Sequence, residues 1–185
     1  MSNLTTKTKI NDPIQRASKI KCLICDLDGV MTDGSIYMSQ SGFDLKVLNA
    51  LDGVGINMLI KNDIKFAILT TSEISSITHH LERFGVICYT GLSDKLPSYY
   101  HLKEELQLDD EAIAYCGDDL PDLCVMSRVG LSIAVANAVV QVKEISHWQT
   151  KKEGGHGAVR EVCEFILSAQ NKLESTIEDY YRRTA

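Results

Sequence analysis

Short apolar runs recur along this chain, separated by longer stretches of mixed character. Lys21 to Cys25, Ile64 to Leu69, Val86 to Tyr89, Ile113 to Cys116 and Leu131 to Val135 are short and rich in buriable side chains, so each reads as a core strand. Between them the period changes to that of a helix. Asp52 to Lys61 turns Val54, Ile56, Leu59 and Ile60 partly inward, and Ile74 to Phe84 follows the second strand. Lys95 to Leu106 directs Leu96, Tyr99, Leu102 and Leu106, with Tyr100 beside them, toward a core. Pro121 suits the first turn of a helix running to Arg128, and Ala158 to Ser168 is long and amphipathic. Strands alternating with helices predict an α/β fold with a parallel sheet and helices on both faces. One segment breaks the alternation. Ser35 to Tyr37 and Phe43 to Val47 flank Ser39-Gln40-Ser41-Gly42, which predicts a small β-hairpin.

This pattern divides the chain into an N-terminal extension over 1–18, one domain over 19–170 and a C-terminal helical tail over 171–185. The extension either frays or carries a short helix from Pro13. The end of the tail, Asp179 to Arg183, is expected to fray, although Arg182 and Arg183 are long enough to reach a neighbouring site.

A chain of 185 residues can bury a real core as one domain. The net charge of −6 argues against a nucleic-acid partner, which would call for a basic face. Met1 to Lys19 lacks the apolar core of a signal peptide and no run approaches transmembrane length, so no membrane role and a cytoplasmic location are the expectation. The six cysteines do not change this. Cys22 and Cys25 have C-x-x-C spacing, but residues three apart on a strand point to opposite faces and cannot share a metal or a disulfide. Cys88, Cys116, Cys124 and Cys163 sit among apolar neighbours and read as buried thiols in a reducing compartment.

The polar residues that end the predicted strands carry the chemistry. Asp26 and Asp28 follow the first strand at once, and Gly29 then lets the backbone turn. Alone, this is also what an Asp-rich turn looks like. Two carboxylates so close repel, and a hard divalent cation is the simplest neutraliser. Thr70-Thr71-Ser72 ends the second strand, Lys95 opens a helix after Gly91-Leu92-Ser93-Asp94, and Gly117-Asp118-Asp119-Leu120-Pro121-Asp122 ends another strand. A parallel sheet brings such ends to one edge, where open α/β sheets bind ligands.

The order Asp-x-Asp, Thr, Lys, Gly-Asp-Asp-x-x-Asp resembles the haloacid dehalogenase superfamily of phosphohydrolases. The stretches CDLDGVMTDG from Cys25, Asn49-Ala50-Leu51-Asp52-Gly53, YCGDDLPD from Tyr115 and GGHGAVREVC from Gly154 are similar to the 3-deoxy-D-manno-octulosonate 8-phosphate phosphatases and to related phosphatases of nonulosonate pathways. The resemblance covers about Lys21 to Gln170. It implies a Rossmann-like, haloacid-dehalogenase-type sheet without a separate cap domain, in agreement with the shortness of both segments where a cap would be inserted. It also implies a homotetramer in which the hairpin and C-terminal tail of adjacent subunits shape the pocket.

The resemblance further implies roles. Asp26 would be the nucleophile that forms an aspartyl-phosphate, and Asp28 the general acid and base. Mg²⁺ would be held by the Asp26 carboxylate, the Asp28 backbone carbonyl and Asp118, with Asp119 and Asp122 orienting that shell. Lys95 would neutralise charge and Thr70 would donate to a phosphoryl oxygen. Taken singly, Lys95 is an ordinary helix-start lysine and Thr70 a strand-end threonine. Asn49, Asp52 and Gly53 fall in the segment that contacts the sugar, although Asp52 also suits a helix cap and Asp33-Gly34 a simple turn.

The chain departs from the family where the sugar acid is gripped. Thr71-Ser72 stands in place of Gly-Arg, His80 in place of an arginine, Asn57 in place of another, and Pro121 where Asn is usual. Neither Ser nor Asn replaces a guanidinium that pairs bidentately with a carboxylate. Ser72, His80 and Arg83 are the candidate replacements. His79 and His80 point about 100° apart on a helix and cannot form a joint metal site. His156 lies in a glycine-rich turn able to present N–H groups to an anion, Arg160 either binds the substrate or pairs with Glu161 or Glu164, and Trp148 reads as packing.

The leading expectation is an Mg²⁺-dependent phosphomonoester hydrolase acting on 3-deoxy-D-manno-octulosonate 8-phosphate, of the lipopolysaccharide sugar pathway. A nonulosonate 9-phosphate or another small sugar phosphate is the alternative substrate. A non-catalytic subunit that kept the fold is the alternative of another class, opposed by the intact Asp26, Asp28, Thr70, Lys95 and Asp118.

Overall fold

The computed structural model describes residues 12–38, 44–73 and 81–182. Six parallel strands form the main sheet in the order β5-β4-β1-β6-β7-β8. They are β1 (Cys22–Cys25), β4 (Lys65–Leu69), β5 (Ile87–Tyr89), β6 (Ile113–Gly117), β7 (Leu131–Ala134) and β8 (Trp148–Gln149). A separate antiparallel pair, β2 (Tyr37–Met38) and β3 (Asp44–Leu45), is the expected hairpin, shorter than the alternation predicted, and residues 39–43 of its turn lie outside the described residues.

The central strands are apolar on both sides because both faces are covered. Every residue of β1, β6 and β7 is buried. One face carries α1 (Pro13–Ala17), α2 (Ala50–Lys61), α6 (Ala158–Ala169) and α7 (Leu173–Arg182); α3 (Lys95–Leu106), α4 (Leu123–Met126) and α5 (Val140–Ile145) form the other layer. All six cysteines are free. Among the described residues no helix is long and apolar enough to cross a membrane.

Several expected boundaries move, each for a local reason. Helix α2 begins at Ala50 rather than Asp52 because the Asn49 side chain accepts the Leu51 N–H at 2.9 Å and caps it. Val54 and Tyr100 face outward, whereas Met58, Ile56 and Leu59 fill the core. The helix expected from Pro121 to Arg128 splits into a 3₁₀ turn, Leu120–Asp122, and the short α4, because the Asp119 and Asp122 side chains close a capping box at that turn. Of the helix predicted from Ile74 to Phe84, residues 74–80 lie outside the described residues and Leu81 and Glu82 are helical. Helix α5 and strand β8 were not foreseen.

The C-terminal tail forms the expected helix, α7 (Leu173–Arg182), and the correction concerns its end: Asp179–Arg182 continue the helix instead of fraying, and Arg183 lies outside the described residues. Thr176, buried, accepts from the Asn62 side chain at 2.9 Å, and the Lys61 ammonium sits 5.3 Å from the centre of the Tyr180 ring. These contacts moor α7 to the end of α2. Trp148 is packing, as expected; its ring stacks on Phe165 at 4.1 Å.

Helices α2 and α6 approach very closely. A Cβ on Gly55 would stand 3.0 Å from the Arg160 Cα, so the glycine is what admits the neighbouring backbone. One turn earlier Asp52, buried, accepts the Arg160 N–H at 2.8 Å. The α6 N-cap is Gly157, which has no side chain to serve its own first turn, and Asp52 supplies that cap from across the interface. Asp52→Ala should therefore lower unfolding free energy by about 1–3 kcal/mol, the cost of a buried donor left unpaired. Asp52→Asn keeps an acceptor and should cost less; urea denaturation of the two variants beside the parent checks this.

Candidate active site

The register of the sheet assembles the site. Cys25 on β1 lies beside Ile68 on β4 and Cys116 on β6, so the three strands end together. Asp26 and Asp28 leave β1, Thr70 and Ser72 leave β4, and Asp118 and Asp122 leave β6 at this one edge. Lys95, the first residue of α3, reaches in from the segment after β5.

Lys95 is the hub. Its side chain is 1% exposed and its ammonium lies 2.9 Å from Asp26 Oδ1, 2.7 Å from Asp122 Oδ1 and 3.2 Å from the Tyr115 hydroxyl. Burial pulls the ammonium toward deprotonation, but the charges of Asp122 and Asp26 outweigh it, and its pKa lies above the ordinary lysine value. Tyr115 donates to Asp122 Oδ1 at 2.7 Å, and the N–H groups of Asp118 and Asp119 donate to Asp122 Oδ2 at 2.8 and 3.2 Å. Asp122 is thus at the centre of the network rather than at its edge. Asp119 is exposed and uses its side chain on the Leu120 N–H at 2.8 Å.

Asp26, Asp118 and Asp122 bring carboxylate oxygens within 4.8 Å of one another. Burial, followed by the charge of Asp122, pushes the Asp26 carboxyl up to about 6 despite Lys95. Burial, then Asp122, Asp26 and Asp119, push Asp118 up to about 8. The residues fit a hard divalent cation on two counts. Asp118 Oδ1 is buried with no hydrogen-bond partner, an acceptor left for something cationic. Gly29, at φ +79°, shapes the place, since a Cβ there would stand 2.0 Å from Asp118 Oδ2. Asp122 is the poorer ligand of the three, because both of its oxygens already accept two hydrogen bonds each from the groups named above.

Asp28 has a separate set of partners. Lys46 forms an ion pair with its Oδ1, Ser72 donates its hydroxyl to Oδ2, and the Thr32 hydroxyl lies 3.5 Å from Oδ1. Thr70 is buried; its Oγ1 accepts the Ser72 N–H at 3.1 Å and its own N–H donates to Tyr89 at 3.0 Å.

Of the predicted sugar contacts, Asn49 and Gly53 line one cavity, together with Asn57, whereas Asp52, Ser72 and Arg83 are not among its lining residues. Asp52 is committed to α6, and Gly53 is exposed on α2. Asn49 caps α2 and also donates to the Gly155 carbonyl at 3.1 Å, which ties it to the glycine-rich turn before α6. That turn lies against Gly29, as Gly155 donates to the Val30 carbonyl at 3.0 Å. Arg160 pairs with Glu164 at 2.7 Å, the second of its expected partners. Arg83 is exposed in the turn before β5, and His80 lies outside the described residues.

Sequence reasoning missed Lys46 and Tyr115. Tyr115 is hidden within an apolar strand and carries no signal of its own. Lys46 sits between Leu45 and Val47, and alternation in a strand puts it on the face opposite both.

Residues 89–162 match the haloacid dehalogenase-like hydrolase family. The 3-deoxy-D-manno-octulosonate 8-phosphate phosphatase KdsC of Yersinia pestis is 49% identical over 165 residues, covering 89% of this chain and 88% of its own. The protein of the same name from Escherichia coli (strain K12) is 43% identical over 164 residues, 88% and 87% of the two chains. The crystal structure of the Yersinia pestis phosphatase superposes with a TM-score of 0.85 over 87% of this chain and 88% of that one, at 49% identity. The phosphatase from Moraxella catarrhalis, solved in complex with magnesium ion, phosphate ion and KDO, superposes with a TM-score of 0.88 over 93% of this chain and 99% of that one, at 35% identity.

The raised carboxyls make cation binding a proton exchange. Below pH 8 Asp118 holds a proton that a divalent cation must displace, and below pH 6 Asp26 holds another. Mg²⁺ affinity should rise by about tenfold per pH unit between these two values and level off above the higher one. Calorimetric titrations in buffers of different ionisation enthalpy should show close to one proton released per ion at pH 7.

Proposed function

The chain belongs to the 3-deoxy-D-manno-octulosonate 8-phosphate phosphatase family of haloacid dehalogenase-like hydrolases, and on that premise we propose that it hydrolyses this sugar-acid phosphate with Mg²⁺ through an aspartyl-phosphate. It is a phosphatase rather than a non-catalytic subunit of the same fold. The observation that carries the mechanistic reading is the position of Lys95, buried between Asp26 and Asp122 at the strand ends.

Asp26 is the nucleophile. Lys95 and the Leu27 N–H, the latter at 2.6 Å, both hold its Oδ1 and set the plane of the carboxylate. Attack on phosphorus breaks the bond to the sugar oxygen, and Asp28 gives that oxygen a proton as it leaves. Asp28 then takes a proton from the water that attacks the aspartyl-phosphate, which frees phosphate and restores Asp26. Thr70 donates to a phosphoryl oxygen. Asp122 keeps Lys95 charged and in place. Asp26, the Asp28 carbonyl and Asp118 would hold Mg²⁺, whose chemistry is to neutralise charge on the phosphoryl group.

The names of the relatives favour the eight-carbon substrate. Ser72 favours the second reading, a nine-carbon sugar acid or another small sugar phosphate. It stands where the family resemblance leads one to expect an arginine, and its hydroxyl is turned to Asp28. For assembly we infer the homotetramer that the resemblance implies. Its support here is the apolar surface of the hairpin, where Ile36, Tyr37, Leu45 and Val47 are all exposed.

Phosphate release from a panel of sugar and sugar-acid phosphates with Mg²⁺ tests the reaction. The expected result is highest kcat/KM on 3-deoxy-D-manno-octulosonate 8-phosphate and a loss of at least about 10³-fold in Asp26→Asn. A nine-carbon preference would select the second reading, and release that survives Asp26→Asn would remove the aspartyl-phosphate. Light scattering should give the mass of four chains, and Leu45→Glu with Val47→Glu should reduce it.

A further inference from the structure

We infer that Lys46 is a positioning residue for Asp28, the arm by which the hairpin holds the proton donor in place for an alkoxide leaving group. The inference rests on the acid–base reading of Asp28 given above.

The local pattern is inverted. Leu45 is 49% exposed and Val47 56% exposed, yet the Lys46 side chain between them is only 4% exposed. A strand beside a core normally turns its apolar residues inward and its lysine outward. Here the ammonium goes in and the apolar side chains stay out. Burying a lysine is costly, and an apolar side chain in its place is often neutral or better for stability. Stability therefore gives no reason for this lysine, whereas its partner does.

The ammonium is paired with Asp28 Oδ1, and Ser72 donates to Oδ2. Thr32, which stands 3.5 Å from Oδ1, is itself held by the N–H groups of Gly29 at 3.3 Å and Gly34 at 3.1 Å. The carboxylate is thus gripped at both oxygens by groups from three segments: the turn after β1, the end of β4 and the return strand of the hairpin. Ser72 and Thr32 are short and rooted beside the sheet. Lys46 alone of the three comes from the hairpin, where the pairing of Tyr37 with Leu45 and of Met38 with Asp44 sets which way it faces. A slip of one residue in that register would turn the lysine out and the acid would lose this partner.

A group that orients an acid matters in proportion to how much the leaving group needs a proton. A primary alkoxide, as in a sugar phosphate, needs one, whereas p-nitrophenolate leaves unaided. The test compares kcat/KM, which covers the steps through departure of the leaving group and excludes the later hydrolysis of the aspartyl-phosphate common to both esters, on 3-deoxy-D-manno-octulosonate 8-phosphate and on p-nitrophenyl phosphate for the parent, Lys46→Met, Lys46→Arg and Asp28→Asn. Lys46→Met should lose about 10²-fold on the sugar phosphate, the scale of general acid catalysis, and less than about fivefold on the aryl ester. Lys46→Arg, which keeps the charge, should recover most of the loss. Equal losses on both esters, or none, would overturn the inference while leaving Asp28 as the acid, provided that Asp28→Asn shows the selective loss. If Asp28→Asn itself falls equally on both esters, the acid–base reading fails and the role of Lys46 fails with it. A fold defect in Lys46→Met would strike both esters alike, so it is read as the first of these failures unless Lys46→Arg is selective.

Discussion

Lys95 carries its charge into the interior, where an isolated ammonium would be strongly disfavoured, and only its partners make that tolerable. Asp122 is the closer partner, and it is itself anchored by Tyr115 and by the backbone of Asp118 and Asp119. Taking away either charge would strand the other. The arrangement thus holds β6, the turn that follows it and the start of α3 in one relation. It also places Asp26 within reach of the same ammonium. The fold in this region is organised around the site, and the apolar strands serve mainly to deliver these groups to a common edge.

The same network divides the carboxylates by task. Asp122 has its lone pairs filled and its charge compensated, so it acts as scaffold. Asp118 keeps one oxygen buried and unpartnered, and Asp26 shares its cation with a neighbour; both carboxyls are pushed up by burial and by the other acids. Asp28, two residues further round the turn from Asp26, is served by a different cation altogether. Two acids separated by a single residue therefore sit in different electrostatic settings, as the division into attacking group and proton carrier proposed above requires.

Much of this was legible in the sequence because strand ends are easy to read. Short apolar runs gave the parallel strands, and the polar residues that end them, Asp26, Thr70 and Asp118, necessarily meet at one edge. What could not be read is what depends on contacts between distant segments. Asp52 stands beside sugar-contact candidates in sequence, yet its carboxylate serves a helix whose N-cap is a glycine more than a hundred positions away. Asn49 likewise spends both ends of its amide on structure. The central rank of Asp122 over Asp119 depends on which of two neighbouring acids points inward, and the tight turn at Leu120–Asp122 decides that. The end of the C-terminal helix is polar enough to look frayed, but Thr176 and Tyr180 moor the helix to α2.

The phosphoryl end and the sugar end of the site are specified in different ways. The groups at the proposed phosphoryl end are over-determined, with Lys95 and Asp122 buried and Asp26 and Asp28 half-buried; each of the four is held by two or more partners, so substitution there disturbs several elements at once. Of the positions that depart from the family pattern, the described ones lie at the surface or at the margin of this network, and His80 lies outside the described residues. Asn57 is exposed on α2, and Ser72 reaches Asp28 by its short hydroxyl rather than projecting a cation. Arg160 is spent on Glu164, and Lys46 and Lys95 on the acids. A sugar acid brings a carboxylate that calls for a cation of its own. Arg83 is exposed in the turn that leads into β5, at the edge of the parallel sheet opposite the strand ends that carry Asp26, Thr70 and Asp118, so within one chain it is not placed to supply that cation. On the proposed reading the grip on the sugar lies outside the network around Lys95, so it can change by substitution without disturbing the groups proposed to hydrolyse the ester.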